Sequence, residues 1–229
     1  MTETPDLPSI FFYIISKGLP TTLLLTGVGL LIGLVIGLLL ALMRIYGGKE
    51  LMWLASGYEK LFRGIPILVL IFLFAVAIPY QFFWFISPLQ RPLMSVILAL
   101  GLRSGAYQSQ IFRGAILSVN PGQMEAAMSL GMSRFKTFIH IIFPQALRLA
   151  IPSWSNEYAV VIKDSSFGFA VGLIDITYSG YLYSVNFQQL WAPTMIIVAI
   201  IYFIFTFPIT NLFGERQTKK LKKLGMGGG

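Results

Sequence analysis

The chain has 229 residues, 56% of them hydrophobic and 11% charged, with a mean hydropathy of +0.76 and a formal net charge of +8. A soluble domain is about 45–50% apolar and about a quarter charged, so these values predict an integral membrane protein. The lack of cysteine excludes disulfides and thiolate metal centres, a single histidine argues against a histidine-built one, and the basic residues flank apolar runs in the manner of membrane orientation rather than DNA binding.

The start of the chain carries Glu3 and Asp6 where a secretory signal would carry basic residues. Residues 1–18 therefore read as an external tail with a short interfacial segment. A first membrane span is expected over roughly residues 19–46. In it Gly29, Gly33 and Gly37 recur at four-residue spacing on one helix face, where small residues let another backbone approach. That partner is either another helix of the chain or a second subunit. Further spans are expected at about 58–84, 92–116, 145–175 and 191–213, each long enough to cross a ~30 Å hydrocarbon core at about 1.5 Å per residue. Residues 214–229 read as a basic tail ending in glycines.

Loop charges give the orientation. With the N-terminus outside, the inner loops and tail hold Arg44, Lys49, Arg134, Lys136, Arg216, Lys219, Lys220, Lys222 and Lys223, while the outer segments hold Lys17 and Arg91. Short loops rich in Lys and Arg stay in the cytoplasm, so the chain reads as N-out and C-in.

Between the third and fourth spans, "GQMEAAMSLGMSRFKTFIHIIFPQALR" (residues 122–148) interrupts the apolar pattern. Asn120 suits an N-cap, Pro121 the first helical position, and Gln123 stands three residues after the cap. Met124, Ala127 and Met128 share a face. Gly131 suits the left-handed position that ends a helix, and Ser133 can cap the next one, which is expected to end near Pro144. A two-turn amphipathic helix is too short to be stable alone in water, so it expects a surface to dock on.

This segment resembles the cytoplasmic EAA loop of permease subunits of ATP-binding-cassette importers. That family's pattern is Glu-Ala-Ala, three residues, Gly, nine residues, Ile, one residue, Leu-Pro. Here it reads Glu125-Ala126-Ala127, Gly131, Ile141 and Phe143-Pro144, with Phe143 in place of the usual Leu. The blocks "EKLFRGIPIL" (59–68), "SGAYQSQIFRGAILSVNPGQ" (104–123), "FPQALRLAIP" (143–152) and "KDSSF" (163–167) are similar to the polar amino acid branch of the family. The likeness covers most of residues 20–213.

The resemblance implies an all-α integral membrane protein with five transmembrane helices, N-out and C-in. It implies the MetI-like importer permease fold over residues 19–213, with a coupling loop at about 118–144 that docks on an ATPase through Glu125, Ala126, Ala127 and Gly131. It further implies a multi-pass protein of a prokaryotic inner (cytoplasmic) membrane that forms the translocation path for amino acids. The implied partners are a second permease chain, identical or paralogous, two ATPase subunits that bind the ATP and Mg, and an extracytoplasmic amino-acid-binding protein. Two departures bear on substrate: Leu70 stands where relatives often have Gln, and Gln110 where many have Glu. Both weigh weakly against a strictly cationic amino acid.

The fourth span is the most polar. Glu157, Lys163 and Asp164 are charges in or near a membrane segment, where each costs roughly 2.5–3.5 kcal/mol at a helix centre, so they expect a protein interior or a wet cavity. Glu157 and Asp164 are seven apart and share a face, with Lys163 turned about 100° away. Ser165, Ser166 and Gly168 favour a loosened helix. The substrate path is accordingly expected at Lys163, Asp164, Ser165, Phe167, Glu157 and Gln110. Asp164 would accept the substrate ammonium, Lys163 and Ser165 would donate to its carboxylate, and Phe167 would border its side chain. A Lys163–Asp164 ion pair that merely fixes the span is the competing expectation.

No phosphate-binding G-x-x-x-x-G-K-[ST] loop and no catalytic set occurs, so the chain reads as a transport subunit without cofactor or enzymatic activity of its own. His140 reads as a surface or docking residue. An ion-coupled secondary transporter, using Glu157 and Asp164, is the alternative. Five spans without an internal repeat fit that architecture poorly, and it leaves the loop unexplained.

Overall fold

The computed structural model describes residues 6–77, Ser87 and 90–223. Its elements are α1 (Leu7–Tyr46), α2 (Lys49–Gly64), α3 (Ile67–Phe72), α4 (Arg91–Leu117), α5 (Pro121–Ser129), α6 (Arg134–Thr137), α7 (Phe143–Asp164), α8 (Ile176–Asn186), α9 (Trp191–Ile209) and α10 (Arg216–Lys223). π-helical turns extend α3 over Leu73–Ala77 and join α6 to α7 (Phe138–Ile142) and α9 to α10 (Thr210–Glu215). A 3-10 segment, Ser165–Val171, prolongs α7.

The seam between α1 and α4 organises the rest. A Cβ on Gly33 would lie 2.7 Å from Gln108 Nε2 and 2.8 Å from Ser104 Cβ, and one on Gly37 would lie 2.7 Å from Gln108 Cβ. From the other side, a Cβ on Gly101 or Gly105 would lie 2.7 Å from Ile32 Cγ2 or Ile36 Cγ2. Each backbone thus nests in a gap left by the other's glycines, and the glycine face of α1 is filled from within the chain. Leu25 and Leu30 of α1 join Ile67, Leu70 and Ile71 of α3, Val96 and Leu100 of α4 and Val161 of α7 in one apolar core. Ala41, Phe112, Ile116, Ile142, Ala146 and Ala150 form a second core nearer the loop.

Several boundaries differ from those expected. The boundary at residue 18 does not exist: α1 runs unbroken from Leu7 through Pro20. Its early turns bury Ile10, Ile14, Gly18 and Thr22 against α8 and α9, and Pro20 sits on the exposed side, so the missing N–H does not stop the helix. The second span is broken at Ile65, held extended (φ −95°, ψ 129°) by the ring of Pro66. Its expected end at residues 78–84 lies outside the described residues.

Nor does Pro144 end the second loop helix. It falls in the first turn of α7, where a missing N–H is tolerated, and the π-helical turn carries α6 into α7. The fourth span stops being α-helical at Asp164, and Gly172, at φ +83°, reverses the chain into α8, which the sequence reading does not place. Residues 214–223 are helical rather than a tail, whereas the terminal glycines lie outside the described residues.

Among the described residues, helix falls within each of the five expected spans, interrupted in the second at Ile65. Among the described residues, Leu7–Tyr46 and Gln188–Lys219 are long and apolar enough to cross a membrane by composition. α4 and α7 carry polar side chains that they turn toward each other.

The glycine seam makes a prediction. Gly37→Val places a branched side chain against Gln108 and Ser109, and overpacking of this kind costs about 1–3 kcal/mol. Gly27 has nothing within 4 Å of its virtual Cβ, so Gly27→Val is expected to change stability by no more than about 0.5 kcal/mol. Thermal unfolding of the detergent-solubilised variants compares the two, and equal losses would contradict the seam.

Candidate functional site

α4 presents a polar stripe to three neighbours. Ser104 Oγ donates to Glu157 Oε1 of α7 at 2.7 Å. Gln108 Nε2 donates to the Leu30 carbonyl of α1 at 3.1 Å and to Ser104 Oγ at 3.0 Å, while its Oε1 accepts from Trp154 Nε1 of α7 at 3.0 Å. Ser109 Oγ donates to Glu59 Oε1 of α2 at 2.6 Å. Glu59, 2% exposed, also accepts from Arg44 Nη1 at 2.8 Å and from Gln110 Nε2. The buried carboxylates are therefore paired or hydrogen-bonded, as groups withdrawn from water must be.

Immediately before Ser104 on α4, Arg103 Nη1 approaches Asp164 Oδ2 to 2.7 Å. The Arg103 guanidinium lies over the Tyr107 ring, 4.6 Å from its centroid, and Arg63 of α2 lies 5.2 Å from the same ring.

Glu157 and Asp164 do share the face of α7 that meets α4. Lys163 points elsewhere, into a groove of about 740 Å³ between α7 and α9–α10. Asn156, Thr206, Thr210, Asn211 and Glu215 line the same groove. The backbones come close here because Gly214 has no side chain; a Cβ there would sit 2.8 Å from Ser155 Oγ.

Three of the expected path residues, Ser165, Phe167 and Gln110, lie away from this groove. Ser165 is fully buried and its Oγ donates to the Ile162 carbonyl at 2.7 Å, so the hydroxyl is spent on the helix end instead of facing a solute. Phe167 packs against the apolar core around Leu25 and Leu100. Gln110 bonds Glu59 and lines a separate pocket of about 310 Å³ with Ser118, Ser153 and Thr218. The acidic partner of the expected Lys163–Asp164 pair is taken by Arg103. The sequence reading passes over Arg103; its one signal is a charge inside an apolar run, and its partner lies 61 positions away with no sequence period to point to it.

The loop is built as its residues dictate. Asn120 Oδ1 accepts from Gly122 N at 2.9 Å, which caps α5 one residue earlier than a capping box would. At the other end Met132 N bonds the Ala127 carbonyl (3.1 Å) and Gly131 N the Met128 carbonyl (3.0 Å), with Gly131 at φ +84°. That pair of bonds is the Schellman arrangement, which needs a residue free to adopt a left-handed backbone. Ser133 Oγ then accepts from Lys136 N at 3.4 Å to open α6. Of the Glu-Ala-Ala triplet, Ala127 alone is buried; Glu125 and Ala126 face outward. Beside them is an apolar groove of about 730 Å³ lined by Leu42, Tyr46, Met124, Met128, Phe135 and Phe138, with Glu125 and Arg134 at its edge. His140 is exposed, its Nδ1 2.9 Å from the Lys136 carbonyl.

Comparison with known proteins places these features. A family model described as "Binding-protein-dependent transport system inner membrane component" matches residues 33–222. The nopaline transport system permease protein of Agrobacterium fabrum is 36% identical over 201 residues, spanning 84% of this chain and 82% of that protein. The arginine ABC transporter permease protein of Haemophilus influenzae is 37% identical over 217 residues, spanning 92% and 94%. A solved structure described as "Crystal structure of an amino acid ABC transporter with histidines" superposes with a TM-score of 0.78 at 31% identity, covering 94% of this chain and 99% of that one.

Proposed function

The chain belongs to the binding-protein-dependent transport system inner membrane component family, and we propose that it forms half of the membrane path of an ATP-driven amino acid importer. The observation that carries the path is the groove between α7 and α9–α10. Asn156, Lys163, Asn211 and Glu215 line it, and a hydrocarbon surface would not tolerate such groups, so water or protein must face them. One chain encloses the groove on one side only. A second permease chain, identical or paralogous, supplies the other wall.

The remaining parts follow the same reading. The membrane is crossed five times, N-out and C-in, in a prokaryotic inner membrane, because the basic residues then gather on one side. ATP and Mg bind to two separate ATPase subunits. The apolar groove beside α5 receives one of them, with Glu125 and Ala126 on the contact face and Ala127 anchoring the helix to the body. An extracytoplasmic binding protein delivers the amino acid. The path residues on this chain are Lys163, Asp164 and Arg103, with Glu157, Gln110, Ser165 and Phe167 holding the frame around them. An ion-coupled secondary transporter is not favoured, since the family membership and the docking loop both belong to ATP-driven import.

Three outcomes test this. Proteoliposomes holding the permease, its ATPase and its binding protein are expected to accumulate an amino acid when ATP is supplied inside; accumulation on an ion gradient without ATPase would refute the reading. Ala126→Trp, on the outward face of α5, is expected to release or uncouple the ATPase while the chain stays inserted. Gly131→Val, which costs about 1–2 kcal/mol at a left-handed position, is expected to do the same, and normal ATP-coupled uptake by both would remove the loop from the contact. For orientation, a cysteine at Thr4 is expected to label from outside and a reporter after Gly229 to report cytoplasm; finding both ends on one side would exclude five crossings.

A further inference from the structure

We infer that Arg103 and Asp164 form an exchangeable ion pair, which an amino acid zwitterion opens by offering its ammonium to Asp164 and its carboxylate to Arg103; this rests on the amino acid reading above. The pair ties α4 to the end of α7, and its side chains are 16% and 17% exposed. They are close enough for strong attraction but poorly aligned: Asp164 Oδ2, 2.7 Å from Arg103 Nη1, makes no directed hydrogen bond. The two-pronged geometry that makes arginine–carboxylate contacts strong is absent. A guanidinium has five N–H donors and a carboxylate accepts about four bonds, so both groups keep unused capacity.

The other charged groups nearby are not available in this way. Glu59 is 2% exposed and already accepts from Arg44, Ser109 and Gln110. Glu157 is 5% exposed and takes its hydrogen bond from Ser104. Arg103, in contrast, has a support that does not depend on Asp164: the face of Tyr107, shared with Arg63. When the carboxylate turns away, the ring keeps the guanidinium in place. The pair does not line the groove into which Lys163 points; its two side chains keep 16% and 17% of their surface exposed, and it is there that a solute would meet them.

Charge balance makes the exchange specific. Removing one partner of a buried ion pair leaves an uncompensated charge, which is strongly unfavourable. A zwitterion brings one charge of each sign on neighbouring atoms, so every charge keeps an opposite neighbour throughout. An amide or amine without the carboxylate would free Arg103 and give it nothing. The pair therefore selects the free α-amino acid group whatever the side chain, and Arg103 is a specificity-determining residue that no spacing argument singles out.

The test uses the permease purified with its ATPase, without the binding protein, and as probes the twenty common L-amino acids and their α-amides. The wild-type complex is expected to bind an amino acid roughly 10–100-fold more tightly than its amide, the range for losing one charge-assisted hydrogen bond. Arg103→Gln with Asp164→Asn keeps size and polarity but removes both charges, a replacement that buried pairs often tolerate. This double variant is expected to assemble and to lose the preference to within about threefold, as it no longer holds a charge for either end of the zwitterion. The reversed pair, Arg103→Asp with Asp164→Arg, is expected to assemble and not to bind. Binding with undiminished preference in either variant would show a clamp rather than an exchange, as would a wild-type complex indifferent to the amide. If the wild-type complex binds none of the twenty, the exchange fails; if, with the binding protein restored, it also imports none of them, the amino acid reading fails with it.

Discussion

Every polar group that enters hydrocarbon must find a partner inside the protein, and the architecture of this chain follows from that constraint. α4 is the helix that poses the problem, since Arg103, Ser104, Gln108 and Ser109 fall within three turns. Their partners come from α1, α2 and α7: the Leu30 carbonyl, Glu59, Glu157, Trp154 and Asp164. The bond from Gln108 to the Leu30 carbonyl needs the α1 and α4 backbones close, which is the work of Gly33, Gly37, Gly101 and Gly105, whereas Glu59, Glu157, Trp154 and Asp164 reach α4 with their own side chains. The glycine seam and the polar stripe meet at Gln108.

The loop obeys a different economy. It sits where charged residues collect, so its backbone ends need local caps more than buried partners. Asn120, Gly131 and Ser133 supply them within a few residues of one another. α5 is short and makes little stabilising contact of its own; Ala127 presses on the body while Glu125 and Ala126 stay outside. α5 is thus capped at both ends and anchored on one face. Beyond the turn at Gly131 the chain runs unbroken from α6 through the π-helical turn into α7, so the loop is joined to the groove by continuous helix.

What was legible in the sequence was what depends on neighbours along the chain. The Asn120 cap, the reversal at Gly131 and the loosening over Ser165, Ser166 and Gly168 each rest on the local preferences of one to three residues, and each is present. The glycine face of α1 was visible at its four-residue spacing, though its partner was not. The break at Ile65 was written in the following proline and was overridden by the apolar composition around it. Residues 7–18 read as a tail with a short interfacial segment because the first span is placed after them; their helix is held by Ile10 and Ile14 packing on α8 and α9, a contact no local pattern reveals. The Arg103–Asp164 pair and the burial of Ser165 are likewise tertiary facts.

Hydropathy also misranks the helices. A window average sums over the whole circumference, so it rewards helices that are apolar all round. By that measure α1 and the Gln188–Lys219 stretch stand out, the latter with only 11% of its best window buried. α4 and α7 fall behind because each keeps polar residues on its inward face, where they are paired. A path for a polar solute needs such inward-facing groups, and a lipid-facing wall needs none. In this fold, then, the segments least convincing as membrane spans by composition are those with the most to do, and the charges that weaken their hydropathy are the ones that mark them.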